Sequence, residues 1–269
     1  MSLSKGFPVV LALAGALLLA GGCASEEGTV AEAGSASPEG TAGEAAPRFR
    51  VLVFSKTEGF RHASIPTGKR ALQQLGAEHG FAVDTTENAA VFTSDSLSRY
   101  DAVVFLSTTG NVFNRAQQEA FTSYIRAGGG FVGVHAAADT EYDWPWYGDL
   151  VGAYFEGHPS DPNVRTATVR VTERTHPSTR MLPGRWERTD EWYNYDANPR
   201  GSVEVLATVD ESTYEGGTMV EDHPIVWKHQ YDGGRAWYTG GGHTKESFTS
   251  EPRFMEHLLG GIEWAAGEA

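Results

Sequence analysis

The chain has 269 residues, with 21 Lys or Arg against 35 Asp or Glu and a formal net charge of -14. No Lys/Arg cluster offsets that balance, which excludes generic nucleic-acid binding, since that requires a basic face. Cys23 is the only cysteine, so disulfides within the chain are excluded too.

An apolar run from Phe7 to Ala20 follows Lys5. It is shorter than the roughly 20 residues a membrane span needs, and it fits the apolar core of a secretory signal. Cys23 directly after Gly21 and Gly22 resembles a bacterial lipoprotein cleavage site. The pattern departs at Ala20, where Leu is more usual. The expectation is a signal peptide over 1–22, lipidation at Cys23, and a protein held in the cell envelope by that anchor after export. Plain signal-peptidase cleavage and a retained anchor helix are the alternatives. A lipidated Cys23 leaves no thiol for nucleophilic catalysis. Apart from Val30, residues 24–47 are Ala, Gly, Ser, Thr, Glu and Pro. A segment without aromatics cannot bury enough surface to fold, so 23–47 reads as an acidic tether.

The globular pattern occupies 48–269. Phe49–Phe54 reads as a strand, and a loop over Lys56–Ala63 follows it. Ser64 is a candidate cap for a helix that Gly80 stops. Phe81–Thr85 is a second strand and Asp101–Leu106 a continuous apolar one. Asn114 with Gln117 makes a capping box for a helix bearing Phe121, Tyr124 and Ile125. Phe131–Val134 is the next strand. Strands that alternate with helices and are apolar throughout predict a parallel sheet covered on both faces. Beyond it, Val164–Val171 and Val203–Val209 read as strands. Ile225–His229 and Arg235–Thr239 read as a hairpin around Asp232-Gly-Gly234. Glu251–Ala265 is a closing helix.

Ligands of open parallel sheets sit beyond the carboxyl ends of the strands. The segments predicted there are the ones richest in His, carboxylates and aromatics. Arg61 and His62 follow the first strand and could bind an anionic or hydroxyl group; the plainer reading pairs Glu58 with Arg61 and lets His62 cap the helix. His135 follows the Phe131 strand as candidate base, metal ligand or donor, with Asp139 placed to orient it; a purely structural His–Asp pair is the alternative. Asp143, Trp144, Trp146 and Tyr147 suit a carbohydrate platform, or else an aromatic plug on the sheet. His158 is a further pocket candidate. Asp190, Glu191 and Trp192 lie in a run of carboxylates and aromatics, and either carboxylate could supply acid–base chemistry; a solvated turn is the alternative. His243 and Glu246 follow Gly240-Gly-Gly242, whose glycines permit close backbone approach. His79, His176 and His257 read as structural, and His223 and His229 stay undecided. A zinc site from His135, Asp139, His243 and Glu246 is conceivable, but no HExxH helix supports it. P-loop and GxSxG signatures are absent, and no GxGxxG follows the first strand.

Several segments together resemble the ThuA-like (trehalose-utilisation) family. They are Gly59–Ile65, Gly133–Thr140, Tyr142–Gly148, Asp190–Tyr193, Gly242–Phe248 and His257–Trp264, in order along nearly the whole globular part. The resemblance implies a flavodoxin-like α/β fold related to class I glutamine amidotransferases: a mostly parallel sheet with helices on both faces. In that superfamily a catalytic cysteine follows a strand at a sharp turn, and a late His and Glu complete a triad. His135 matches the turn, and His243 with Glu246 resembles the late pair. Without a cysteine there, amidotransferase activity is not implied. Sugar metabolism is, with glycosyl hydrolysis as the activity attached to the family.

The expected function is therefore an enzyme acting on a disaccharide or an oxidised (keto) sugar. His135 and His243 would move protons, Asp139 and Glu246 would orient them, and Asp190 or Glu191 would serve as the second acid–base group. A glycosidase form needs two carboxylates roughly 5–10 Å apart across the bond. The alternatives are a non-catalytic sugar-binding lipoprotein and a metal-dependent hydrolase. No resident cofactor is expected, a divalent metal being the exception to test. The expected partners are the sugar and, through the lipid alone, a membrane.

Overall fold

The structure, a computed structural model, describes residues 46–269. The predicted signal peptide, Cys23 and all but the end of the tether lie outside the described residues. Among the described residues no helix is long and apolar enough to cross a membrane. In chain order the first half contains β1 (Arg50–Phe54), α1 (Ile65–His79), β2 (Ala82–Thr86), α2 (Ser94–Leu97), β3 (Ala102–Leu106), α3 (Arg115–Arg126), β4 (Gly130–Val134) and α4 (Pro145–Val151). The second half contains β5 (Phe155–Gly157), β6 (Val164–Val171), β7 (Arg185–Glu191), β8 (Asn194–Tyr195), β9 (Glu204–Asp210), β10 (Pro224–Tyr231), β11 (Gly234–Thr239), α5 (Glu246–Thr249) and α6 (Pro252–Ala266).

The fold is flavodoxin-like. Five parallel strands lie in the order β2-β1-β3-β4-β11. β3 and β4 are buried along their whole length, as strands covered on both faces must be. Phe121 of α3 packs on Phe105 and Phe131. Gly261 of α6 lies against Trp237, whose register partner Val132 points away from Phe131. Successive strand residues face opposite sides, so α3 and α6 cover opposite faces. Gly130 marks the tightest point of this packing: a Cβ there would stand 2.4 Å from the carbonyl oxygen of Ala265.

Four antiparallel strands, β10-β9-β6-β7, extend the same sheet beyond β11. The parallel expectation thus describes one half of the sheet. β7 is the strand of this nine-stranded sheet that sequence patterning missed. It alternates from Arg185 to Asp190, but its inward positions are Trp186, Arg188 and Asp190, two of them charged. An ion pair fills the place where an apolar alternation would have signalled a strand.

The Asn114–Gln117 capping box is present at α3. Ser64 does not cap α1; its hydroxyl donates instead to the carbonyl of Gly242 at 3.2 Å. Pro66 lies in the first turn and has no N–H to satisfy. The serine is therefore free to tie the start of α1 to the loop after β11.

Candidate functional site

Three parallel strands each deliver a histidine from their carboxyl end: His62 beyond β1, His135 at the end of β4, and His243 beyond β11. His135 takes a left-handed φ of 52° as the chain leaves β4 for a short 3-10 turn, His135–Asp139. Such a conformation costs on the order of 1–3 kcal/mol and persists only where the surroundings impose it. Here they do. The His135 Nδ1 lies 2.9 Å from the Gly240 carbonyl, the Tyr238 hydroxyl donates to the His135 carbonyl at 2.8 Å, and the Tyr193 ring sits 4.2 Å from the imidazole.

His243 is positioned from below. Gly242 has φ 114°, and the N–H groups of Gly242 and His243 donate to the two carboxylate oxygens of Asp190 at 2.8 and 3.1 Å. Arg188 bonds Asp190 at 3.1 Å, Glu251 at 2.7 Å and the Ser247 hydroxyl at 2.9 Å. Asp190 is fully buried in this clamp. Its neighbour Glu191 points the other way, as strand periodicity requires. Although β7 stands four places beyond β11 in sheet order, Glu191 reaches the histidines. Its Oε2 lies 3.0 Å from His243 Nδ1 and 3.3 Å from His135 Nε2, and those two nitrogens are 3.2 Å apart. Asn163 donates to Oε1, and His158 Nε2 stands 3.6 Å from it. The His62 ring closes the group, 4.8 Å from His135 and 5.2 Å from His243 between ring centres. One donor atom from each of His62, His135, Glu191 and His243 lies within 4.8 Å of all the others.

The charges follow from this packing. Burial pushes the Glu191 carboxyl up, but the bonds from His135 and His243 outweigh it and hold the group well below the usual carboxylate range. Burial lowers His243, yet the Glu191 bond and the charges of Glu191 and Asp190 leave it raised. His62 is pushed down to about 2 by burial and then by the neighbouring imidazoles of His135 and His243. Burial raises Asp139, against the opposing hydroxyl of Tyr142 and the charge of His135.

The group opens on a cleft of about 250 Å³ whose walls are Phe60, Asp139, Phe155, His158, Asn163 and Tyr193, with His62, Glu191 and His243 at its floor. A larger polar cleft of about 610 Å³ adjoins it through His158.

Of the residues singled out in the sequence, His62, His135, Asp139, His158, Glu191 and His243 meet here. The others do not. Glu246 is exposed at the first position of α5 and makes no side-chain hydrogen bond among the described residues; Glu191 occupies the place expected for it. Asp139 bonds Tyr142 rather than His135, which is oriented by the Gly240 carbonyl instead. Asp190 acts on the backbone of the His243 loop and does not line the cleft. Arg61 is exposed and bonds Glu87 at 2.8 and 3.0 Å, while Glu58 pairs with Lys56. Asp143 is exposed and accepts from Asn111. Trp144 and Trp146 stack on each other and pack against Phe113 and Phe121 on the α3 side, and Tyr147 is buried beneath them. Trp192 is buried and donates to the Arg165 carbonyl. These aromatics plug the sheet, because their apolar area is used in the core. The cleft's own rings, Phe60, Phe155 and Tyr193, were missed. Tyr193 had a signal: it stands two residues from Glu191, the spacing that keeps side chains on one side of an extended chain.

The model of the ThuA family, trehalose utilisation, matches residues 50–265. A solved ThuA-like protein from Bacteroides uniformis is similar at 27% identity over 85% of this chain and 95% of its own, with a TM-score of 0.68. One from Parabacteroides merdae shares 22% identity over 82% of this chain and 90% of its own, with a TM-score of 0.65. A β-galactosidase from Bacillus circulans shares the fold at 13% identity and a TM-score of 0.51; the match covers 81% of this chain but 31% of that enzyme. No curated protein matches the sequence.

Proposed function

The chain belongs to the ThuA (trehalose-utilisation) family, which gives it a carbohydrate-related function, and from that premise we propose an enzyme that acts on a disaccharide or an oxidised (keto) sugar. The reaction takes place in the cleft above Glu191, by His/carboxylate acid–base chemistry and without a cysteine nucleophile. The observation that carries this reading is the buried carboxylate bonded to His135 and His243 at the floor of an aromatic-walled cleft.

The parts divide the work. Phe60, Phe155 and Tyr193 offer ring faces for apolar sugar surfaces, and Asn163, His158 and Asp139 offer partners for hydroxyls. Asp139, whose burial favours its protonated form, is suited to give and retake a proton nearer neutral pH than an exposed carboxyl. The His–Glu group polarises the substrate oxygen that reaches the floor. Both Glu191 oxygens already have partners, so a glycosidase with Glu191 as a free nucleophile is not favoured. A protein that only binds sugar would need the walls but not a buried charge set among three histidines.

Incubating the purified full chain with disaccharides and 3-keto sugars tests this reading. Turnover of at least one is expected. In His243→Ala it should fall by ~100-fold or more, while sugar binding persists. Binding of panel sugars without turnover of any would refute the enzyme and leave the binding protein. Export and anchoring through Cys23 form part of the same proposal, and loss of labelled-lipid incorporation in Cys23→Ser is the outcome expected.

A further inference from the structure

We propose that His62, His135, Glu191 and His243 form a binding site for one first-row divalent metal ion of the zinc type. The inference goes beyond the sugar reading and does not depend on it, because it stands on four side chains whatever the substrate.

Distances come first. His135 Nε2, His243 Nδ1 and Glu191 Oε2 form a triangle with sides of 3.0, 3.2 and 3.3 Å. With metal–ligand bonds of about 2.0–2.1 Å, neighbouring ligands stand about 3.3–3.4 Å apart in a tetrahedron and about 3.0 Å apart in an octahedron. The triangle therefore has the size of one face of a coordination shell. His62 completes the set, with all four donor atoms within 4.8 Å of one another.

Protons come second. The Nδ1 of His135 is 2.9 Å from the Gly240 carbonyl, which only accepts, so that nitrogen carries the proton. In neutral His135 the Nε2 lone pair then points toward a carboxylate oxygen 3.3 Å away and a second imidazole nitrogen 3.2 Å away. A proton on His243 Nδ1 can bridge the Nε2 and the carboxylate oxygen, but it gives His62 nothing to bond. His62 is 3% exposed, its Nδ1 is buried without a partner, and neither of its ring nitrogens makes a hydrogen bond among the described residues. A metal ion gives all four groups a use.

The surroundings have the form expected of a metal centre. The Gly240 carbonyl fixes the His135 tautomer and Asn163 holds the other oxygen of Glu191, as outer partners do for metal ligands. Three imidazoles and one carboxylate suit zinc, iron or nickel and disfavour magnesium and calcium, which prefer oxygen donors. His62, Glu191 and His243 also line the cleft, so a substrate oxygen entering there would meet the ion on its open side, where it would act as a Lewis acid.

The test uses the full chain, stripped with a chelator and then titrated with Zn²⁺ against a chromogenic competitor. Metal content is measured after dialysis, and the visible spectrum is recorded with Co²⁺ in place of zinc. About one ion per chain is expected, with the Co²⁺ absorption of a site with imidazole ligands. Glu191→Gln, which keeps shape and loses charge, and His135→Ala should bind ~100-fold more weakly or worse, exceeding the loss from removing an outer partner. His79→Ala, on the exposed end of α1, should bind like the wild type. No zinc uptake by the stripped wild type would overturn the proposal, and that measurement needs no variant to fold. Uptake equally tight in Glu191→Gln would overturn it too. Sugar turnover is not read, so failure here leaves the sugar reading standing.

Discussion

Asp190→Asn is the substitution that separates the clamp from the reacting group beside it. Asp190 accepts from the Gly242 and His243 amides, the Glu191 amide, Arg188 and the Ser247 hydroxyl, at 2.8 to 3.3 Å. Asparagine keeps one acceptor oxygen. Its amide nitrogen would face three of those donors if it took the place of Oδ2. Breaking one side of a buried ion pair costs about 3–5 kcal/mol, because the remaining charge is left without compensation. Glu251 still pairs with Arg188, which favours the lower end. For a domain of this size each kcal/mol shifts the melting temperature by about 2–4 °C, so a fall of roughly 6–20 °C is expected. Thermal unfolding followed by circular dichroism measures it. Hydrogen exchange supplies a second readout: the Gly242 and His243 amides should lose protection before the β4 amides do. A melting temperature within about 2 °C of wild type, with those amides still protected, would refute the clamp.

Gly130→Ala should cost about 1–3 kcal/mol, because its Cβ meets the Ala265 carbonyl at 2.4 Å and must push α6 off β4; an unchanged denaturant midpoint would count against that packing. Acid should destabilise the fold through its buried histidines. Burial pushes His257 down to about 3 and His176 down to about 4. The unfolded imidazoles take up protons below their ordinary value while the folded ones do not. Stability is therefore full above about pH 6.5 and is lost toward pH 4 and 3, at about 2 kcal/mol per histidine by pH 5. A melting temperature that stays flat from pH 7 to 5 would contradict this. Trp146→Ala should lower stability by about 3 kcal/mol as a large ring leaves the packing and leave the KM for sugar unchanged; a raised KM would return the Trp144–Tyr147 segment to the substrate.

Most of the parallel half was legible because its strands are unbroken apolar runs punctuated by glycine and helix caps. The histidines at the strand ends were legible for the same reason: once a strand's end is known, the fold puts the next residue at the crevice. Long-range pairing was not. Glu246 lies three residues from His243 and looked like its partner, yet the carboxylate that bonds it, Glu191, lies far away in sequence on an antiparallel strand. That strand was hidden because Arg188 and Asp190 fill its inward positions with an ion pair. The tryptophans misled for a related reason, since pattern alone does not say whether an aromatic ring faces a ligand or the core. The metal set conceivable from sequence shares His135 and His243 with the proposed one and lacks His62 and Glu191.

The central claim is that the reacting centre is built on Glu191, and a side-by-side comparison of Glu191→Gln and Glu246→Ala tests it most directly. On whichever sugar the wild type turns over, kcat/KM should fall by ~100-fold or more in Glu191→Gln. In Glu246→Ala, where an exposed side chain without a hydrogen-bonding partner among the described residues is removed, kcat/KM should stay at the wild-type value. Loss of activity in Glu246→Ala with activity retained in Glu191→Gln would contradict the account.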